Sequence, residues 1–375
     1  MNKNILYVRN FASKVNSKLY NLQELGFGKA LVNQGYNCDV VYYTDANEEI
    51  ETVYQQGNHR LRILWMKGYK IFSNSIFTKL LSKKFANQYQ FVITTEYHQM
   101  MTYLLSTRFP KKVILYHGPY KDHGRQLILK VYDRIFLPGT RRRVRYTFVK
   151  SELANKYLTD KGFTDVVTLG VGLDIENLEN RQECNDEIEK ELKKLHGKKV
   201  LLYIGILEAR RNILFLLRLL KKATEQDPEI RLLFIGSGKS EETDEYWKYI
   251  NDHHLSKFIV YFPKIEQAQL WRIYEVSDVM VFPTTYDIFG MVLLESLYYN
   301  VPVISSLNGG ASTLIRQNEN GIILNHFDEQ LWLNVIFEVL EAPILKERMK
   351  ASRPKTTKSI QWDNIVSKMI SQIDC

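Results

Sequence analysis

The stretch VFPTTYDIFGMVLLESLYYNVPVISSLNGGAS, Val281 to Ser312, holds in order the end of a strand, a polar loop, a helix, a second strand and a Gly-Gly turn. The short apolar runs Val279 to Phe282 and Val301 to Ser305 read as buried strands, and a helix is expected from about Phe289. A strand that returns through a helix to the next strand is the βαβ unit of a parallel sheet. Ligands of such sheets gather outside the carboxyl ends of the strands, so the loop ahead of the helix is where chemistry is expected. Asp287 lies in that loop and Glu295 eight residues on, within the helix. Taken singly, Asp287 is a helix cap and Glu295 an ordinary helix residue. Gly290 permits close backbone approach, and the amides of Gly290, Met291 and Val292 offer donors and partial positive charge to a phosphate.

The same rhythm extends on both sides. Apolar runs at Val200 to Ile204, Arg231 to Ile235 and Phe258 to Phe262 alternate with helical-period segments such as Leu214 to Thr224. Ahead of a charged, helix-forming stretch, Asn185 to Leu195, an equivalent series runs from Ile5 to Val8, Asp39 to Tyr43, Phe91 to Thr94 and Val113 to Tyr116, with a helix over Leu22 to Gln34. The expected fold is α/β: two Rossmann-like domains facing across a cleft, each with a parallel sheet flanked by helices. The boundary is placed where VVTLGVGLD gives way to the polar ENLENRQECNDEIEK, giving domains 1–175 and 176–355. Residues 356–375 contain an amphipathic helix with Trp362, Ile365, Val366, Met369 and Ile370 on one face.

Composition bounds the function. A chain of 375 residues with 45% hydrophobic and 25% charged residues is globular rather than disordered, and long enough for two cores without staples. Cys38, Cys184 and Cys375 are three and scattered, which supports neither a disulfide framework nor a zinc site and fits a reducing cytoplasm. The opening MNKNILYVRNF has its apolar run broken by Arg9 and reads as a first strand, not a signal peptide. No stretch approaches the ~18 apolar residues of a membrane span. Charge is uneven: residues 1–170 hold 26 Lys and Arg against 12 Asp and Glu, a balance of +14, and the remainder 25 against 30, or −5. The positive half suits a polyanion, an anionic membrane surface or a phosphate-bearing substrate.

DIFGMVLLE, then NVPVIS, then NGG at Asn308 to Gly310, then NENGIIL at Asn318 to Leu324 resemble the signature of the retaining glycosyltransferases of family 4, the GT-B glycosyl transferases group 1. That signature has two glutamates separated by seven residues; here Asp287 takes the first place. YIGILEARRNILFLL, Tyr203 to Leu217, is similar to the family's diphosphate-binding loop, with Gly205 in place, Ile206 where an Arg is usual, Arg211 where a Lys is usual, and Arg210 as a substitute cation. IGSG, containing Gly236, resembles the next strand and loop, and YFPKI, with Pro263 and Ile265, the segment that frames the nucleotide base. LYHGPY resembles the strand end that supplies a histidine beside the transferred sugar, here His117; a lone His is otherwise more often a core residue.

The resemblance implies a nucleotide-sugar donor, UDP favoured, and retention through an oxocarbenium-like transition state. It makes Asp287 the partner of the sugar hydroxyls and Glu295 that of the ribose, with His117, Asp287 and Glu295 as the catalytic set. With no Asp-x-Asp in the chain, no metal or other cofactor is expected, and Arg211 with helix amides would stabilise the leaving group. The implied product is a hexosyl or N-acetylhexosaminyl linkage on a lipid-linked glycan of surface polysaccharide, such as capsule, made at the cytoplasmic face of the plasma membrane. It also implies that the final helix crosses back onto the first domain. The basic, apolar stretch His59 to Phe85, whose second half fits an amphipathic helix, and the cluster Arg141 to Lys150 are the expected contacts with an anionic membrane; solvated basic faces are the alternative. Two other functions fit less well. A nucleic-acid-binding protein agrees with a pI of about 9.1 but not with the acidic second half, so no nucleic-acid partner is expected. A dinucleotide-dependent oxidoreductase lacks its GxGxxG.

Overall fold

A computed structural model describes residues 3–16, 22–122, 126–341 and 344–373. Cys375 lies outside the described residues. The chain divides into two units, Met1–Leu173 with Ile360–Cys375, and Asp174–Ser359.

The first unit is built on an eight-stranded sheet. Its strands are β1 (Asn4–Val8), β2 (Asn37–Tyr43), β3 (Glu49–Gln56), β4 (His59–Met66), β7 (Phe91–Thr95), β8 (Val113–His117), β9 (Tyr146–Val149) and β10 (Val166–Thr168), in the order β10-β9-β8-β7-β1-β2-β4-β3. Between β4 and β7 a separate hairpin forms from β5 (Tyr69–Ile71) and β6 (Asn74–Ile76). Strands covered on both faces read as unbroken apolar runs, and Val113, Ile114, Leu115 and Tyr116 of β8 are all buried. The reversal of order between β1 and β7 marks a topological switch point at their carboxyl ends.

Two features depart from expectation. The sheet is not wholly parallel, because β3 pairs antiparallel with β4 across a turn at Gly57 (φ 57°). Its sequence EIETVYQQ is largely exposed and places Glu49 and Glu51 along the sheet edge, where charge discourages further pairing. Nor does the second half of His59 to Phe85 form an amphipathic helix. Residues 59–66 are strand β4, paired to β2 from Cys38↔Leu61 to Tyr43↔Met66; the hairpin follows, and only the short helical turns Thr78–Leu81 and Lys83–Ala86 remain. β-branched and aromatic residues spaced for a sheet won over a helical period too short to propagate. The cluster Arg141 to Lys150 is likewise divided, its start ending a helix and Tyr146–Val149 forming β9.

The helix Trp362–Ile373 is part of the first unit. Trp362 meets Phe27 edge-on at 5.8 Å, and Asp363 accepts a hydrogen bond from Asn33 at 3.0 Å. Trp362, Ile365, Val366, Met369 and Ile373 are buried.

The second unit carries a six-stranded, wholly parallel sheet: β11 (Lys199–Ile204), β12 (Ile230–Ile235), β13 (Ile259–Phe262), β14 (Val279–Phe282), β15 (Val303–Ser306) and β16 (Gly321–Leu324), ordered β13-β12-β11-β14-β15-β16. Cores lie on both faces, one around Phe215, Leu216 and Trp332, the other around Phe262, Ile273 and Leu293. The order reverses between β11 and β14, which sets this unit's switch point beside Gly205 and the loop after Phe282.

Candidate functional site

In the second unit the loops after β11, β14 and β15 are laced together by backbone. Thr285 donates its amide to Arg210 O at 2.8 Å, and the Arg210 guanidinium donates to Tyr286 O at 2.8 Å. Gly309 donates to Asp287 O at 3.0 Å. A Cβ at Gly310 would stand 1.5 Å from Phe289 O and one at Gly309 1.9 Å from Ile288 O, so only a Gly-Gly turn lets the two backbones meet. Gly290, at φ 72°, turns the chain into the helix Met291–Tyr298, two residues later than expected. The amides of Met291 and Val292 therefore lie in its first turn, where the dipole favours anions.

Arg211 and Asp287 form a largely buried ion pair, their side chains 11% and 14% exposed. The guanidinium also lies over the Phe282 ring at 5.4 Å. The expected diphosphate cation and the expected sugar carboxylate are thus bonded to each other. Arg210, 33% exposed, pairs with Glu208 at 2.5 Å. Ile206 is 56% exposed at the mouth of this loop. Glu295 is 4% exposed, and its carboxylate accepts a hydrogen bond from Tyr274 at 2.9 Å, with the Tyr274 ring stacked on Tyr299. Gly236 follows β12, its amide bonded to Phe262 O at 3.0 Å. Pro263 is exposed, whereas the Ile265 side chain belongs to the core.

His117 lies in the first unit, at the end of β8 and fully buried. Its Nδ1 stands 3.0 Å from a Glu96 carboxylate oxygen, outside ideal hydrogen-bond geometry, and its ring is parallel to Tyr157 at 5.9 Å. Among the described residues, His117 Nε2 has no hydrogen-bond partner. Glu96 follows β7 in the left-handed region (φ 53°), uncommon outside glycine. Burial pushes its carboxyl up, but the His117 imidazole, Lys150 and His98 outweigh it and hold it below the usual range. Burial likewise keeps the His98 imidazole below its ordinary value. At the same strand ends Asn10 donates to Thr94 at 2.9 Å and Gln99 at 2.7 Å, a buried polar network at the switch point. Sequence reasoning missed Asn10, Glu96, Gln99 and Tyr157; the run TTEYHQ directly after an apolar strand was the available signal.

Among the described residues, no three His, Cys, Asp or Glu stand together as metal ligands. No described helix is long and apolar enough to cross a membrane.

Two doubly wound units, each with polar loops at a switch point, define a double Rossmann-like α/β class. HepE of Anabaena, solved in complex with UDP, superposes with a TM-score of 0.75 at 13% identity over 99% of both chains, and the fold is GT-B. Residues 185–356 match the family model described as glycosyl transferases group 1. The chain is similar to spore coat protein SA of Bacillus subtilis, 26% identical over 202 residues (51% of this chain, 52% of that protein). It is also similar to D-inositol 3-phosphate glycosyltransferase of Thermomonospora curvata, 24% identical over 229 residues (58% and 53%). The chain thus spans about half the length of these curated relatives.

Proposed function

We propose that the chain is a retaining glycosyltransferase that moves a hexose or N-acetylhexosamine from a UDP-sugar to a lipid-linked glycan acceptor at the inner face of the plasma membrane, in the making of surface polysaccharide. The observation that carries this reading is the convergence of the Gly205–Arg211 loop, the Asp287 loop and the amino end of the Met291–Tyr298 helix at the second unit's switch point, within the segment that matches the group 1 model. The UDP complex of HepE supports the choice of donor.

In this reading the sugar C1–O bond to the diphosphate breaks with an oxocarbenium-like transition state. The acceptor oxygen bonds C1 on the same face, and its proton leaves with the departing phosphate oxygen. Arg211, Arg210 and the Met291 and Val292 amides stabilise the departing charge without a metal. Asp287 releases Arg211 to the diphosphate and takes up sugar hydroxyls. Glu295 binds the ribose, and His117, backed at Nδ1 by Glu96, is the remaining member of the catalytic set.

The test is thermal stabilisation by UDP, GDP, ADP and NAD, each with and without EDTA, since a ligand bound only by the folded state raises the melting temperature. UDP should raise it, EDTA should not matter, and Glu295→Ala should abolish the shift. A shift with NAD alone, or none, overturns the reading.

A further inference from the structure

The helix Gln126–Ile135 keeps an apolar row in water. Leu127, Val131 and Ile135 recur at i, i+4 and i+8 with Ile128 beside them, and the four are 76%, 52%, 60% and 54% exposed. Its other side is anchored. Tyr132 is buried, with its hydroxyl donating to Tyr97 O at 3.1 Å, and Asp133 receives Lys161 at 2.5 Å. The row therefore cannot rotate inward without breaking this attachment, and a contiguous exposed aliphatic surface marks an interaction site.

The neighbouring sequence is mostly basic. From Lys121 to Lys150 the chain has nine Lys and Arg against Asp122 and Asp133, and both aspartates are paired with Lys161. Lys130 and Arg134 are exposed on the helix itself. After Phe136 the helix Leu137–Arg143 ends in Arg141, Arg142 and Arg143, and Arg141, Arg142 and Arg145, with Asp165 as the one acidic residue, line a recess of about 410 Å³.

An aliphatic row needs hydrocarbon and its basic surroundings need anions; an anionic bilayer surface offers both. Single-stranded nucleic acid offers phosphate and base faces but no hydrocarbon layer for Leu and Ile. A second copy docked by the same face would set arginine against arginine. We propose that the helix Gln126–Ile135 is a membrane-docking element, its row Leu127, Ile128, Val131 and Ile135 entering the acyl boundary of an anionic leaflet while the Arg141–Arg145 recess takes a lipid phosphate headgroup. This deepens the lipid-linked acceptor reading and rests on it for the membrane location, and it moves the contact away from residues 59–85.

The full chain is sedimented with phosphatidylcholine vesicles, with and without phosphatidylglycerol. It should partition onto the anionic vesicles and not the neutral ones. Leu127→Gln with Val131→Gln should lower partition about tenfold or more, at unchanged melting temperature, elution volume and UDP-induced thermal shift. Arg141→Gln with Arg142→Gln should lower it about thirtyfold and remove much of its salt dependence. Undiminished partition by the Leu127→Gln, Val131→Gln double variant overturns the proposal, as does equal binding to neutral vesicles. So does a dimer in solution that this double variant dissociates, or RNA binding that survives it. Vesicle binding lost while the UDP shift persists is a failure of the docking proposal alone; the reverse is a failure of the donor reading alone.

Discussion

At the residue scale, the Arg211–Asp287 pair joins two expected ligands of different parts of one donor. A guanidinium held at 11% exposure by a carboxylate is already desolvated and oriented, so an arriving diphosphate replaces one anion by another. Arg211→Ala should weaken UDP binding by about 10- to 100-fold, since a hydrogen bond to a charged group is worth ~1.5–3 kcal/mol. Isothermal titration checks it, and unchanged affinity would remove Arg211 from the site. In the other unit, burial depresses the His98 imidazole. A group whose folded value lies below its unfolded one contributes stability that is complete above the unfolded value, about 6.5, and is lost as pH falls through the folded value. Melting temperature should therefore drop between pH 7 and pH 5, and His98→Gln should lessen that drop. Arg211, Asp287 and Glu295 could be singled out as candidates because a known order of motifs marks them. Glu96 was not, because a lone carboxylate after a strand acquires meaning only when β8 brings His117 within 3.0 Å of it.

At the scale of elements, strands buried on both faces were the readable ones: Ile5 to Val8 and Val200 to Ile204 have little alternative to a sheet interior. Strand β3 was missed because EIETVYQQ is polar, and an edge strand carries no apolar face to announce it. The helix Gln126–Ile135 escaped notice for the opposite reason, since LILKVY looks like any core helix until its surroundings fail to cover it. The Gly-Gly turn after β15 holds the Asp287 loop by close backbone approach. Because a Cβ at residue 310 meets a carbonyl at 1.5 Å, Gly310→Ala must push the turn off the Asp287 loop. A loss of about 2 kcal/mol or more is expected in urea unfolding, together with a weaker UDP-induced shift. A variant as stable and as responsive as the parent would show the contact to be dispensable.

At the scale of the molecule, the first unit is assembled from both ends of the chain. Ile360, Trp362, Ile365, Val366, Met369 and Ile373 are all buried, the indole meeting Phe27. At ~1.5–3 kcal/mol per side chain, six such residues are worth about 9–18 kcal/mol before ordering costs. Even half of that rivals the ~5–15 kcal/mol by which a whole domain is stable. Residues 1–173 should then fail to unfold cooperatively alone and regain a sharp transition when a peptide of residues 360–375 is added. Trp362→Ala in the full chain should cost ~3–5 kcal/mol, the range for emptying a buried aromatic site. Residues 174–359 hold their own sheet and two cores, and should melt cooperatively by themselves. Calorimetry on the two pieces separates these expectations: a cooperative transition for residues 1–173 without the peptide would mean that the terminal helix decorates a core already complete.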